Sequence, residues 1–236
     1  MGVSNLDRKN LDSNGHTPQV TETPQENETI LKEKEVKVAL CFSGLPRGNY
    51  IKNIEKHRDV FKGDVYLHTW SGILCEAPYS CKYWPEPQSD YLQPTVKELS
   101  NPYKRKILSR GYKQIMAHTY AMISLPKMYD VVVRCRYDVI INTDFDWLPY
   151  VRECYENKTV IGVRNQVEDE WDYIKQVRPK HLVLDQLIMH TPDSYDCGHV
   201  VNLYDNEKLD ACEMGWYQVF EKHPIKNYIG GCRLDK

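Results

Sequence analysis

Residues 36–43, VKVALCFS, form a short, nearly continuous apolar run that stops at the turn Ser43-Gly44-Leu45-Pro46-Arg47-Gly48. A strand that is apolar on both faces must be covered on both, as in a mostly parallel sheet with helices above and below it. Residues 49–61 read as a helix and 63–70, GDVYLHTW, as a second strand. The segment therefore opens as a βαβ unit.

The rest of the chain extends that pattern. Residues 71–102 are rich in Pro, Tyr and Ser with weak periodicity, and read as a long surface excursion of the kind used for lids and binding loops. Over 109–125, Tyr112, Ile115, Met116, Thr119, Tyr120 and Ile123 recur with helical spacing, which predicts one face packed on a sheet and a stop at Pro126. Residues 129–142, YDVVVRCRYDVIIN, are β-branched enough to be a strand region. Residues 157–163 and 181–190 are further strand candidates, separated by a charged loop at 164–180, and helical or mixed segments follow, including 212–223. Strands alternating with helices indicate an α/β fold with an open, mostly parallel sheet. Residues 1–35 hold no aromatic residue and no cysteine. They offer too little apolar surface to offset the entropy of ordering, so 1–34 is expected to be a disordered tail before a single domain at 35–236.

Residues 36–236 carry 27 basic against 26 acidic side chains. A near-neutral body without a basic run argues against nucleic acid as the main partner. No stretch reaches the length of a membrane span, and the polar start lacks the apolar core of a secretory signal, which points to a cytoplasmic protein. The eight cysteines form no CxxC pair, and Cys41 and Cys135 sit in apolar segments, so free thiols in a reducing compartment are expected. Cys75 and Cys81 could be a bridge or half of a metal site.

Chemistry concentrates in two places. Along an extended Val133–Asp138, Arg134, Arg136 and Asp138 point one way. Two guanidiniums and one carboxylate on a buried face are costly unless they form an internal bridge or hold an anionic ligand. The opening turn is the second place. Ligands of open α/β sheets lie beyond the carboxyl ends of the strands, where Ser43, Gly44 and Arg47 precede a helix whose first N–H groups favour phosphate. A Gly/Pro turn with a surface arginine is the plainer reading. Asp138 and the Asp144-Phe145-Asp146 turn could contribute carboxylates to Mn²⁺ or Mg²⁺. Asp185 interrupts the apolar LVLDQLIM, either as a structural acceptor or as a poised acid, and Glu213 is a weaker candidate of the same sort.

With these residues in place, the sequence resembles the small nucleotide-sugar-dependent glycosyltransferases of bacterial and viral polysaccharide synthesis, which have a GT-A type fold. The resemblance rests on VALCFSGLPRG, DVYLHTW, a helix carrying Gln114, and YDVVVRCRYDVIIN, and continues faintly through LDQLIMHTPDSY and EMGWYQ. It implies that Ser43, Gly44 and Arg47 border the nucleotide diphosphate, that Gln114, Arg134 and Arg136 bind substrate, and that Asp138 is the leading metal or sugar contact. Asp185 would then lie on the acceptor side, as a catalytic carboxylate. Arg136 stands where the first Asp of the family's Asp-x-Asp would be, so the arginines would neutralise the diphosphate in place of a metal. The implied reaction is sugar transfer from a nucleotide-diphosphate sugar to a hydroxyl of a glycan or surface-polysaccharide acceptor. A noncatalytic nucleotide or glycan binding module and a nucleotidyltransferase are the alternatives.

Overall fold

The computed structural model describes residues 34–87, 102–164, 182–210 and 212–235, with backbone alone at 102–111 and 212. The tail expected at 1–34 and the charged loop expected at 164–180 lie outside the described residues, apart from Lys34 and Arg164.

The first run becomes β1 (Val38–Ser43), every residue of it buried. Helix α1 (Tyr50–Phe61) follows and ends where Lys62 turns left-handed. It leads to β2 (Asp64–Trp70), which pairs parallel with β1. The excursion after β2 contains a strand that its weak periodicity concealed, β3 (Cys81–Trp84), added parallel to β2. Helix α2 (Pro102–Ser124) begins several residues before the predicted start. Of its predicted face, Tyr112, Ile115, Met116 and Thr119 are buried, whereas Ile123 is exposed near the helix end.

The 129–142 run is two strands rather than one. It breaks into β4 (Val131–Cys135) and β5 (Val139–Ile141) around a turn at Tyr137–Asp138. Helix α3 (Leu148–Asn157), not anticipated from the sequence, leads to β6 (Val160–Arg164). The 181–190 run is strand only at β7 (Leu187–His190). Its first half cannot join the ladder as a regular neighbour because it crosses β6 at close range. A Cβ on Gly162 would sit 2.6 Å from the Leu184 nitrogen, so glycine is what lets the two backbones pass. A 3-10 turn at Pro192–Ser194, α4 (Cys197–Asp205), α5 (Cys212–Phe220), β8 (Ile225–Ile229) and β9 (Cys232–Leu234) complete the chain.

The main sheet has the order β3-β2-β1-β4-β7-β6-β8, and β5 and β9 make a separate antiparallel pair. Within the main sheet β7 alone runs against its neighbours. Side-chain alternation divides the core. Leu40, Phe42, Val131, Val133 and Cys135 face Ile54 and Phe61 of α1 and Val151 and Cys154 of α3. Ala39, Cys41 and Val132 pack with Ala121 of α2, while Val160 and Ile188 pack with Tyr112, Ile115, Trp216 and Phe220 from α2 and α5. Phe42, Leu40 and Val133 are wholly buried, and each contributes on the order of 1.5–3 kcal/mol through area removed from water. Helices thus cover both faces of an open, mostly parallel sheet. Its carboxyl edge is left to loops.

Candidate functional site

Strand β1 runs out through α1 to β2 and β3 on one side, and β4 lies on its other side. The chain order reverses between β1 and β4, and a crevice beyond such a switch point is where open α/β sheets bind ligands. Ser43 ends β1 there, Arg136 follows the end of β4, and Arg164 ends β6. Because β7 is antiparallel and Cys135 registers with Leu187, the residues preceding β7, Asp185 and Gln186, arrive at the same edge.

Arg136 and Asp138 form the best-defined unit. Arg136 donates from Nε to Asp138 Oδ1 at 2.9 Å and from Nη2 to Oδ2 at 2.8 Å. Both are mostly shielded, with side chains 22% and 13% exposed. Burial pushes the Asp138 carboxyl up, but the Arg136 hydrogen bonds and charge, with Arg47 adding its own, outweigh it and hold the carboxyl below its ordinary value. Arg47 is therefore within electrostatic reach of Asp138, on an exposed turn whose two glycines both have positive φ, +112° at Gly44 and +58° at Gly48. The Gly44 N–H donates to His68 O at 3.2 Å, which closes the turn onto β2. Ser43 is buried, and its Oγ has no hydrogen-bond partner among the described residues.

The turn that carries Arg136 and Asp138 is held on three sides by residues that the sequence did not single out. Asn53 of α1 donates to Tyr137 O at 3.1 Å, and the Tyr137 hydroxyl both accepts from His68 N and donates to His68 O. Asp235 N–H donates to Asp138 O at 2.7 Å, through the pairing of β9 with β5. Asn53 could have been noticed as a polar residue on the apolar stripe of Ile54, His57 and Phe61.

Arg134 departs from expectation. It differs from Arg136 in burial, Arg136 being 22% exposed, although each guanidinium lies within reach of the other's charge. The Arg134 side chain is fully buried. It donates from Nη1 to the backbone oxygen of Asp185 and from Nη2 to Gln114 Oε1 at 2.9 Å, with the guanidinium 5.0 Å from the Trp216 ring centroid. Burial lowers its pKa to about 10, with the Asp185 charge opposing. No carboxylate pairs with it among the described residues, so its contacts are neutral acceptors and an aromatic face. Arg134 thus holds the chain at Asp185 from the core, and half-exposed Gln114 in turn holds Arg134. Asp185 itself is 5% exposed. Beside it, at the end of β6, Arg164 and Glu213 form a buried ion pair, and Glu213 O accepts from Val183 N at 3.0 Å. Glu213 is consequently a structural partner.

Among the described residues, the carboxylates expected to hold a metal are otherwise engaged or exposed. Both Asp138 oxygens are taken by Arg136, Asp146 Oδ1 accepts from Leu148 N at 3.2 Å, and Asp144 lies in an exposed turn. Among the described residues no three His, Cys, Asp or Glu side chains are grouped to hold an ion. Nor is any helix among them long and apolar enough to cross a membrane.

No protein-family model matches the chain, and no curated protein matches it. Among solved structures it is similar to a galactosyltransferase in complex with donor and acceptor sugar analogs, at 8% identity over 80% of this chain and 72% of that one, with a TM-score of 0.45. It is similar to 4-diphosphocytidyl-2C-methyl-D-erythritol synthase from Anaerococcus prevotii, at 9% identity over 86% and 91%, with a TM-score of 0.48. It is also similar to glucosyl-3-phosphoglycerate synthase from Mycobacterium tuberculosis with Mn²⁺, uridine-diphosphate-glucose and phosphoglyceric acid, at 11% identity over 85% and 72%, with a TM-score of 0.41.

Proposed function

We propose that the chain is a GT-A-like glycosyltransferase that moves a sugar from a nucleotide-diphosphate sugar to a hydroxyl of a glycan or surface-polysaccharide acceptor. The observation that carries this reading is the placement of Arg47 and Arg136, with Asp138 between them in charge, beyond the carboxyl ends of β1 and β4. Two guanidiniums stand at that edge beside the carboxylates of Asp138 and Asp235, and a diphosphate would be met there by Arg47 and Arg136.

In the reaction the bond from the anomeric carbon to the diphosphate oxygen breaks as the acceptor hydroxyl bonds to that carbon. Negative charge grows on the departing diphosphate, and fixed guanidiniums stabilise it without reorganising. Ser43 and Gly44 border that group. Asp185 serves as the base that takes the acceptor proton, its backbone held by Arg134. Arg134 and Gln114 act through Asp185 as positioning residues.

Incubation with a panel of nucleotide sugars, with and without Mn²⁺ or a chelator, tests the proposal. Release of nucleoside diphosphate supports it. Release of monophosphate or pyrophosphate favours a nucleotidyltransferase. Calorimetric binding without release favours a noncatalytic module, and neither release nor binding overturns a nucleotide-sugar site altogether.

A further inference from the structure

Leu182, Val183 and Leu184, the residues that lead into Asp185, are buried but belong to no strand. They cross β6 on the side of α5, where Val183 N–H donates to Glu213 O at 3.0 Å and the Val183 side chain packs in one cluster with Trp216. Buried backbone groups that leave the ladder must find partners elsewhere. Leu184 N–H donates to Asn227 Oδ1 at 2.8 Å, and Leu182 O accepts from Asn227 Nδ2 at 3.0 Å. One side-chain amide thus makes the two bonds that a residue of a parallel neighbouring strand would make on either side of Val183. Asn227 can do so because it stands in register with Gly162, across the pairing of β8 with β6. A Cβ on Gly162 would lie 2.6 Å from Asn227 Oδ1 and 2.6 Å from Leu184 N, so the amide passes over β6 where a side chain is missing. One residue further on, Asp185 pairs with Val163 in an isolated parallel bridge.

We propose that Asn227 is a positioning residue for Asp185: its amide fixes the course of residues 182–184, and thereby the place from which the Asp185 carboxylate meets the acceptor hydroxyl. The proposal rests on the reading of Asp185 as the base of sugar transfer. Arg134 of β4 holds the Asp185 carbonyl, and Asn227 of β8 holds the chain just before it, so the segment is fixed from both flanks of the β7 and β6 pair. Neither Asn227 bond involves the Asp185 carboxylate or the turn that carries Arg47. Loss of the amide therefore shifts the base relative to the substrates and leaves the diphosphate contacts as they are. A displacement of about 1 Å at a reacting group can cost on the order of 100-fold in rate.

The test compares the full wild-type chain with Asn227→Ala, using a nucleotide sugar and a hydroxyl acceptor that wild type turns over. Steady-state kinetics, calorimetric titration with the matching nucleoside diphosphate, and amide hydrogen exchange over residues 182–186 are measured on both. In Asn227→Ala kcat is expected to fall about 10-fold to 100-fold, with KM and diphosphate affinity within about 2-fold of wild type, and the segment to exchange faster. Asn227→Asp keeps an acceptor for Leu184 N–H and loses the donor to Leu182 O. It is expected to show a smaller loss of kcat, and it decides the matter if Asn227→Ala does not fold. A kcat equal to wild type in a variant whose segment exchanges faster overturns the positioning role, and so does diphosphate affinity that falls in step with kcat. Unchanged exchange over 182–186 overturns the clamp itself. A wild-type chain that turns over no nucleotide sugar overturns the sugar-transfer reading beneath the proposal, a failure seen before any variant is compared.

Discussion

Asp235 places a carboxylate oxygen 2.7 Å from the backbone nitrogen of Asn49, at the head of α1. The helix start that the sequence offers to a phosphate therefore holds the chain's own anion. The fit is close: a Cβ on Gly48 would lie 2.5 Å from that same oxygen, and the positive φ there suits glycine.

Asp235→Asn removes a negative charge beside the proposed diphosphate and weakens the cap. It is expected to tighten nucleoside diphosphate binding about 3-fold to 10-fold, in line with charge effects at helix ends, while costing on the order of 1 kcal/mol of stability. Calorimetric titration and thermal melting of the variant and the wild type check both halves.

Arg136→Gln leaves the Asp138 carboxylate shielded and without its bidentate partner. Turnover is expected to fall by about 100-fold or more, the size of losing one preorganised charge contact, and the protein to melt lower. Arg136→Gln combined with Asp138→Asn should recover the melting temperature without recovering turnover. Steady-state kinetics beside melting curves separate the two effects.

Arg134 gives the opposite pairing of effects. Arg134→Ala leaves a cavity and strips the donors from Asp185 O and Gln114 Oε1, and is expected to cost about 3–5 kcal/mol. Arg134→Met keeps volume and removes an expensive buried charge, so it should melt within a few degrees of wild type. Its kcat should fall about 10-fold to 100-fold with KM little changed, because Asp185 loses its brace. A kcat equal to wild type would contradict a positioning role.

The parts of this fold legible in the sequence are those governed by local patterning. β1, α1 and β2 follow from one apolar run, one helical stripe and one more strand, and their boundaries shift by one or two residues. Placement at the sheet's carboxyl edge was legible where a residue type sits at a strand end, as with Arg47, Arg136 and Asp138 in the candidate site. It was not legible where tertiary contacts decide. Arg134 and Arg136 share a spacing, yet only a turn beginning after Cys135 determines that one is inside and the other outside. Asn53 and Asp235 hold the site across separations of 84 and 186 residues, and nothing in local sequence announces such contacts. β3, β8 and β9 are short and mostly half-exposed, so their periodicity is faint.

Buried histidines set the acid limit. His118 Nε2 and His190 Nε2 are 2.9 Å apart, and both rings are fully buried. Burial holds His57, His68 and His190 down at about 4, and burial, His190 and Arg134 hold His118 well below its ordinary value. The folded state thus binds fewer protons than the unfolded state once pH drops below about 6.5, so stability falls with pH across roughly 6.5 to 4, by up to about 1.4 kcal/mol per pH unit for each histidine. The depressed Asp138 carboxyl acts in the same direction at lower pH. Melting temperature should be nearly flat from pH 8 to 7 and decline steadily below about 6.5. His118→Gln should flatten part of that decline.

The central claim is tested most directly by measuring free nucleoside diphosphate released from nucleotide sugars by the wild-type chain and by a folded Arg47→Ala, Arg136→Gln variant. Wild type is expected to release diphosphate from at least one donor in an acceptor-stimulated reaction, and the variant to lose about 100-fold or more of that rate. Equal release by both proteins, or none by wild type from any donor, would contradict a diphosphate site at the ends of β1 and β4.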